Sequence, residues 1–149
     1  MRLDDRNPMT TSDFLATLEG VEGYFSEFSG VKIAVERPDY SDGLTTIKRK
    51  AASGTINYED VTLAKAFDPE KDSYLIDWCD EALCKLETSD ITIRPVKRCK
   101  GIEQRGSKAW YLSGCRLKDF STFESMNTND GKAVVMLKLS FTVEQAVWK

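Results

Sequence analysis

Hydrophobic and polar positions alternate along most of this chain, and the alternation predicts strands. Phe14, Ala16 and Leu18 alternate with Leu15, Thr17 and Glu19, and Gly20 ends the run, which favours a strand over a helix capped by Ser12. Glycines at 20, 23 and 30 bracket Tyr24, Phe25 and Phe28, as in a hairpin with a short twisted strand. Val31, Ile33 and Val35 alternate with Lys32, Ala34 and Glu36, which predicts a half-buried strand stopped by Pro38. Ile56, Tyr58, Val61 and Leu63 are strand formers with a phase slip between Tyr58 and Val61, which predicts a β-bulge. Ile91, Ile93 and Val96 form a further strand. Another runs through Trp110 and Leu112 to Cys115 and Leu117. In the last one, Lys132 to Val143, Val135, Leu137, Leu139, Phe141 and Val143 form one face. Its other face is polar, and it is long beside the usual strand of about five or six residues.

One stretch breaks this rhythm. Asp68-Pro69 is a good helix start, because a carboxylate accepts orphan N–H groups and proline has none to lose at the first position. Leu75, Trp78, Cys79, Ala82 and Leu86 then recur at helical spacing. Asp72, Asp77, Asp80, Glu81 and Lys85 fall mostly outside that stripe. The predicted fold is therefore mainly β: two packed antiparallel sheets forming a sandwich or barrel, with one flanking helix over about 69–86. Residues 1–12 read as a polar arm and 13–149 as a single domain.

Composition narrows the chemistry. The 149 residues are 41% hydrophobic and 30% charged with a net charge of −3, so no global basic field favours nucleic acid. The N-terminus lacks a signal-peptide pattern, and no apolar run is long enough to span a bilayer. There is no histidine, which excludes Ser-His and Cys-His nucleophile systems within the chain. Cysteines 79, 84, 99 and 115 have no zinc-site spacing and read as reduced thiols, with 79 and 84 on different helix faces. No catalytic, metal-binding or cofactor-binding constellation emerges. The acids Asp72, Asp77 and Asp80 read as a solvated helix face.

Two polar stretches invite a contact role. Residues 38–53 form a long connection with the run Lys48-Arg49-Lys50; loops of this length in compact domains usually have a job. Residues 94–108 hold six basic residues and one acidic one, with Gly101 and Gly106 marking a turn. A solvated hairpin is the plainer reading there; an acidic protein partner or phosphate contact is the alternative.

Taken together, these residues resemble the tail tube proteins of contractile-tailed bacteriophages and the related inner-tube subunits of bacterial contractile injection systems. The resemblance is most specific in Lys48 to Lys50, Gly54, Tyr58, Val61, Thr62, Leu63, Leu75 and Trp78, joined by Phe25, Glu27, Ser29 and Gly30. It runs from about Phe14 to Val143. The chain departs at Lys65-Ala66-Phe67, where the family often has Arg-Gly, and at Gly114-Cys115-Arg116 and Phe120 to Asn129.

The resemblance implies hexameric rings that stack into a hollow tube inside a sheath, with strands of neighbouring subunits joined into a tube-lining β-barrel. It implies a ring-stacking loop at Tyr40, Lys48, Arg49 and Lys50, and a lumen face of Lys32, Glu36, Lys138, Ser140, Thr142 and Glu144. Leu75, Trp78 and Ala82 would pack the helix, leaving Asp77, Asp80 and Glu81 towards the sheath. The implied partners are further copies of the chain, a sheath protein, a baseplate or initiator, a tail terminator and a tape measure protein, with non-specific passage of DNA. A phage tail, part of a virion assembled in the host cytoplasm and serving genome ejection, is the first expectation. An injection-system tube carrying protein effectors is the second, and a monomeric β-sandwich binding module is the third.

Overall fold

The computed structural model describes residues 8–40, 43, 49–85, 87–124, 126–129 and 131–149. The strands of the first half are β1 (Phe14–Leu18), β2 (Glu27–Phe28), β3 (Ile33–Glu36), β4 (Asp39–Tyr40), β5 (Arg49–Lys50), β6 (Thr55–Tyr58) and β7 (Val61–Ala66). Helix α1 (Ser73–Cys84) follows, then β8 (Ser89–Cys99), β9 (Ile102–Arg105), β10 (Trp110–Ser121), β11 (Met136–Thr142) and β12 (Gln145–Trp148).

The main sheet is antiparallel, in the order β1-β8-β10-β11-β7-β2, with β9 on β8 and β12 on β10. It curls into a half-barrel. The backbone N–H of Phe25 donates to the Ala16 carbonyl at 3.0 Å, and that of Ser26 donates to the Ala64 carbonyl at 2.9 Å. Two successive residues thus stitch β1 to β7. The chain is mainly β with one helix, as its alternation predicts.

Alternation also fixes the core. On β11, Leu137, Leu139 and Phe141 point inward and are fully buried, facing Leu63 and Val61 of β7 in register. Leu75 and Cys79 of α1 close over this layer. Trp78 and Ala82 pack against it half-buried, as helical spacing predicts. The strand β10 serves two partners on one side, pairing with β12 through Trp110–Ser113 and with β11 through Arg116–Ser121. The change of direction falls at Gly114, whose φ of 66° lies in the left-handed region. A Cβ there would also come within 2.7 Å of the Glu144 Cβ, so the bend needs glycine.

Four sequence expectations are corrected. The slip between Tyr58 and Val61 is not a bulge: β6 pairs with β3 in a separate ribbon, whereas β7 belongs to the main sheet. Glu59 and Asp60 are where the chain changes sheets. The strand through Ile33 and Val35 is exposed throughout, not half-buried, because that ribbon stands clear of the core. The last strand begins at Met136, not Lys132, and after a break at Val143 and Glu144 the chain resumes as β12. Finally, the helix starts at Ser73, not beside Pro69. The Asp68 carboxylate does accept N–H groups, from Glu70 at 3.0 Å and Lys71 at 3.4 Å, but in a turn ahead of the helix. Leu86, the expected helix end, lies outside the described residues.

Candidate functional site

The candidate site is a surface element, a hairpin arm. The ribbon β3–β6 continues into β4–β5, so residues 31–40 and 49–60 form one projection. Along β3, β4 and β6 only Tyr58 escapes full exposure. The described residues of the long polar connection 38–53 are therefore the outer end of a larger element. A Cβ at Gly54 would overlap the Glu36 carbonyl, so glycine is what lets the two chains of the arm approach there. Of the stacking-loop residues, Tyr40 is exposed and Lys50 pairs with Asp39 at 3.8 Å. Arg49 lies in β5, and Lys48 falls outside the described residues.

The ribbon's register separates two faces. Ile33 lies opposite Tyr58 and Val35 opposite Ile56, all apolar. Ala34 lies opposite Asn57 and Glu36 opposite Thr55 on the other face, where Lys32 pairs with Glu59 at 3.2 Å and Asn57 donates to Glu36 at 3.5 Å.

Within one subunit the expected lumen residues lie on two separate elements. Lys32 and Glu36 belong to the ribbon. Lys138, Ser140 and Thr142 lie on the outward face of β11, beside Thr62 of β7 and Arg116 of β10. There Ser140 and Thr62 share a hydrogen bond at 3.3 Å, and Lys138 pairs with Glu124 at 3.6 Å. Glu144 sits beyond the strand, at the bend against Gly114. Asp77, Asp80 and Glu81 are exposed on α1, and Glu81 pairs with Lys85 at 3.3 Å.

The basic stretch 94–108 is the hairpin β8–β9, turned by Lys100 and Gly101, both at positive φ. Much of its charge is structural. Arg94 donates to the Gly106 carbonyl and to Tyr111 Oη, Arg105 donates to Tyr24 Oη, and Arg98 donates to the carbonyls of Ser12 and Phe14. Asp13 lies close by, its carboxyl held below the ordinary range by hydrogen bonds from Thr10, with Arg98 adding to the effect. Lys97, Lys100 and Lys108 remain exposed.

Sequence reasoning missed two features. One is the pair of Lys65 Nζ and Asp72 Oδ1 at 3.1 Å, where helical spacing suggested only a solvated acid. The other is the apolar ribbon face, which the matching alternations 33/35 and 56/58 could have revealed once paired. The described residues hold no cluster of acids and cysteines suited to a metal ion. Burial pushes the thiols of Cys79 and Cys115 up to about 12, which makes them poor nucleophiles.

No family model matches this sequence, and no curated protein matches it. The fold is nevertheless shared. A chain of the anti-feeding prophage tube-terminating cap superposes with a TM-score of 0.79 at 18% identity, covering 100% of this chain and 95% of its own. A chain of the PVC sheath–tube complex, an extracellular contractile injection system in its extended state, gives 0.77 at 19% identity, covering 97% and 93%. An Hcp protein gives 0.56 at 13% identity, covering 85% and 70%. The structure therefore has the tube, or Hcp-like, fold found in contractile injection systems.

Proposed function

We propose that this chain is a structural subunit of a contractile particle, closing into hexameric rings that stack as a hollow tube inside a sheath. The observation that carries this reading is the arm of residues 31–40 and 49–60, which stands off the core on a fold shared with injection-system chains. A two-stranded ribbon without a third strand or a covered face is marginal in water, so it suits an assembled state. In the tube, Lys138, Ser140, Thr142 and Glu144 would face the lumen together with Lys32 and Glu36 of the arm, and paired charges there neither grip nor repel cargo strongly. Asp77, Asp80 and Glu81 would face the sheath. Tyr40 and Lys48 to Lys50 would reach the next ring, and residues 1–12 would act as an arm on the single domain 13–149. Baseplate or initiator, terminator and tape measure protein complete the set of partners.

Two versions of the particle follow, a phage tail passing a genome and an injection particle carrying protein. The neighbours from the anti-feeding prophage and PVC favour the second. Nuclease and protease treatment of purified particles, followed by analysis of the protected contents, separates them. Electron microscopy of the purified chain tests the tube itself. Six-fold rings or tubes are expected at high concentration or with an initiating partner. A monomer that never forms either would overturn the reading.

A further inference from the structure

The arm leaves the main sheet through a short break in one hairpin. On the sheet side, Phe28 of β2 lies opposite Leu63 of β7; on the arm side, Ile33 lies opposite Tyr58. Ser29 to Lys32 on one limb and Glu59 to Thr62 on the other span equal lengths, so the register is the same on both sides of the break. Backbone bonds narrow it further. The Ser29 N–H donates to the Thr62 carbonyl at 3.1 Å, and the Glu59 N–H donates to the Lys32 carbonyl at 3.1 Å. Val61 is already held in the main sheet, opposite Phe141. What remains between the two ladders is Gly30, Val31 and Asp60. Gly30 has a φ of 108°, a conformation that glycine adopts freely, and a Cβ on it would meet nothing within 4 Å. Backbone conformation, not packing, sets the angle there. Of the arm's described side chains, Val31 and Tyr58 pack against the core cluster, each half-buried.

A charge pair crosses this joint. Strand β10 is bulged at Lys118: Leu117 lies opposite Phe141 and Asp119 opposite Ser140, which leaves Lys118 out of the ladder with β11. A bulge re-aims the side chain it carries. Here the Lys118 ammonium reaches the Asp60 carboxylate at 3.1 Å, with the two side chains 56% and 48% exposed. So exposed a pair is weak, able to set an angle without locking it.

We infer that the arm turns as one body about Gly30, Val31 and Asp60, and that the Lys118–Asp60 pair is the catch that sets its resting angle. Such joints use a few residues at the ends of elements, as here. The inference concerns a single subunit and does not depend on the tube reading; in a tube, the joint would let each copy aim its arm at the neighbour it meets.

Pulsed electron paramagnetic resonance reads the angle. Spin labels go on Cys84, exposed on α1, and on Thr55→Cys in the arm, with Cys99→Ser removing the other exposed thiol. Thr55 lies five positions from Asp60, about 17 Å along a strand at about 3.3 Å per residue, so a small turn becomes a readable shift. One dominant distance is expected for the parent. Lys118→Gln should add a second, displaced population, and high salt should do the same to the parent by screening the pair. Lys118→Arg should keep the parent's distance. Gly30→Val should displace the dominant distance with the catch intact, because a β-branched residue disfavours that φ. A parental distribution in Lys118→Gln overturns the catch, and one in Gly30→Val overturns the joint. Hydrogen exchange at the paired amides of β3 and β6 separates turning from unzipping. Equal protection in the parent and Lys118→Gln is expected, whereas protection lost together with the shift would mean that the ribbon melts and does not turn.

Discussion

Lys65 on β7 and Asp72 at the N-cap of α1 form an ion pair of 3.1 Å whose side chains are only 15% and 10% exposed. The same Asp72 carboxylate accepts the Asp68 N–H at 3.0 Å, and the Lys65 ammonium lies 5.8 Å from the Phe25 ring centre. The pair ties β7 to the residue just before the helix. With its carboxylate turned back towards Asp68 and Lys65, Asp72 makes no side-chain cap to its own helix. Lys65→Met would leave a nearly buried anion without its partner, and losing one member of such a pair costs about 3 kcal/mol. Urea unfolding should show that loss. Lys65→Arg should recover most of it, and full stability in the methionine variant would show the pair to be idle.

The cysteines divide by burial. Cys79 and Cys115 are buried, while Cys84 and Cys99 are exposed. Desolvation is the main cause that pushes the buried thiols up to about 12, with Asp80 adding to Cys79 and Asp90 and Glu144 to Cys115. The folded value lies above that of the unfolded thiol, about 8.5. Their contribution to stability is therefore fully present below about pH 8.5 and is lost as pH rises towards 12. At pH 8 a thiol reagent should modify two cysteines per chain quickly and the other two only on unfolding. Replacing Cys79 and Cys115 by alanine should flatten the alkaline fall in stability, at the cost of core volume.

How much of this was legible in the sequence follows from the range of each signal. The alternation of Leu137, Leu139 and Phe141 and the spacing of Leu75 and Cys79 are local, and both predicted their burial. The change of sheet between Tyr58 and Val61 was not legible, because a period-two pattern cannot say which strand lies alongside. The same limit hid the ribbon: Ile33 and Val35 look half-buried until their partner proves to be another exposed strand. Lys65 and Asp72 lie seven positions apart in different elements, so no helical or strand spacing joins them. The placing of Lys32 and Glu36 on the arm, and of Lys138 and Ser140 on the main sheet, has the same origin.

Arg98 shows how a basic residue can serve the fold. Its guanidinium donates to the Ser12 carbonyl at 2.9 Å and the Phe14 carbonyl at 3.2 Å, and it pairs with Glu103 at 3.4 Å. Those carbonyls lie on the side of β1 turned away from β8, where Ala16 is bridged to Phe25. Arg98 thus covers a stretch of strand edge that would otherwise invite pairing with another chain. Arg98→Ala should lower stability by about 1 kcal/mol, since the site is partly exposed, and should raise non-specific aggregation on mild heating. Arg98→Lys should not restore the parent behaviour, because a single ammonium lacks the planar fork that serves both carbonyls. Light scattering during a thermal ramp reads the difference.

The outer end of the arm carries the last prediction. Lys50 sits opposite Asp39 across β4–β5, with their charges 3.8 Å apart, and Tyr40 lies beside them, opposite Arg49. If this end joins one ring to the next, its charge should govern stacking and leave ring closure alone. Lys48→Glu with Lys50→Glu reverses the local charge and sets a glutamate beside Asp39. An exposed hairpin tolerates that change at about 1 kcal/mol or less. Rings should therefore still form, while tube length measured in electron micrographs collapses towards single rings. The parent's tubes should shorten as salt rises, because the contact is exposed and screened within about 10 Å at 0.1 M. Tubes of parental length in the double variant would assign stacking to some other part of the chain.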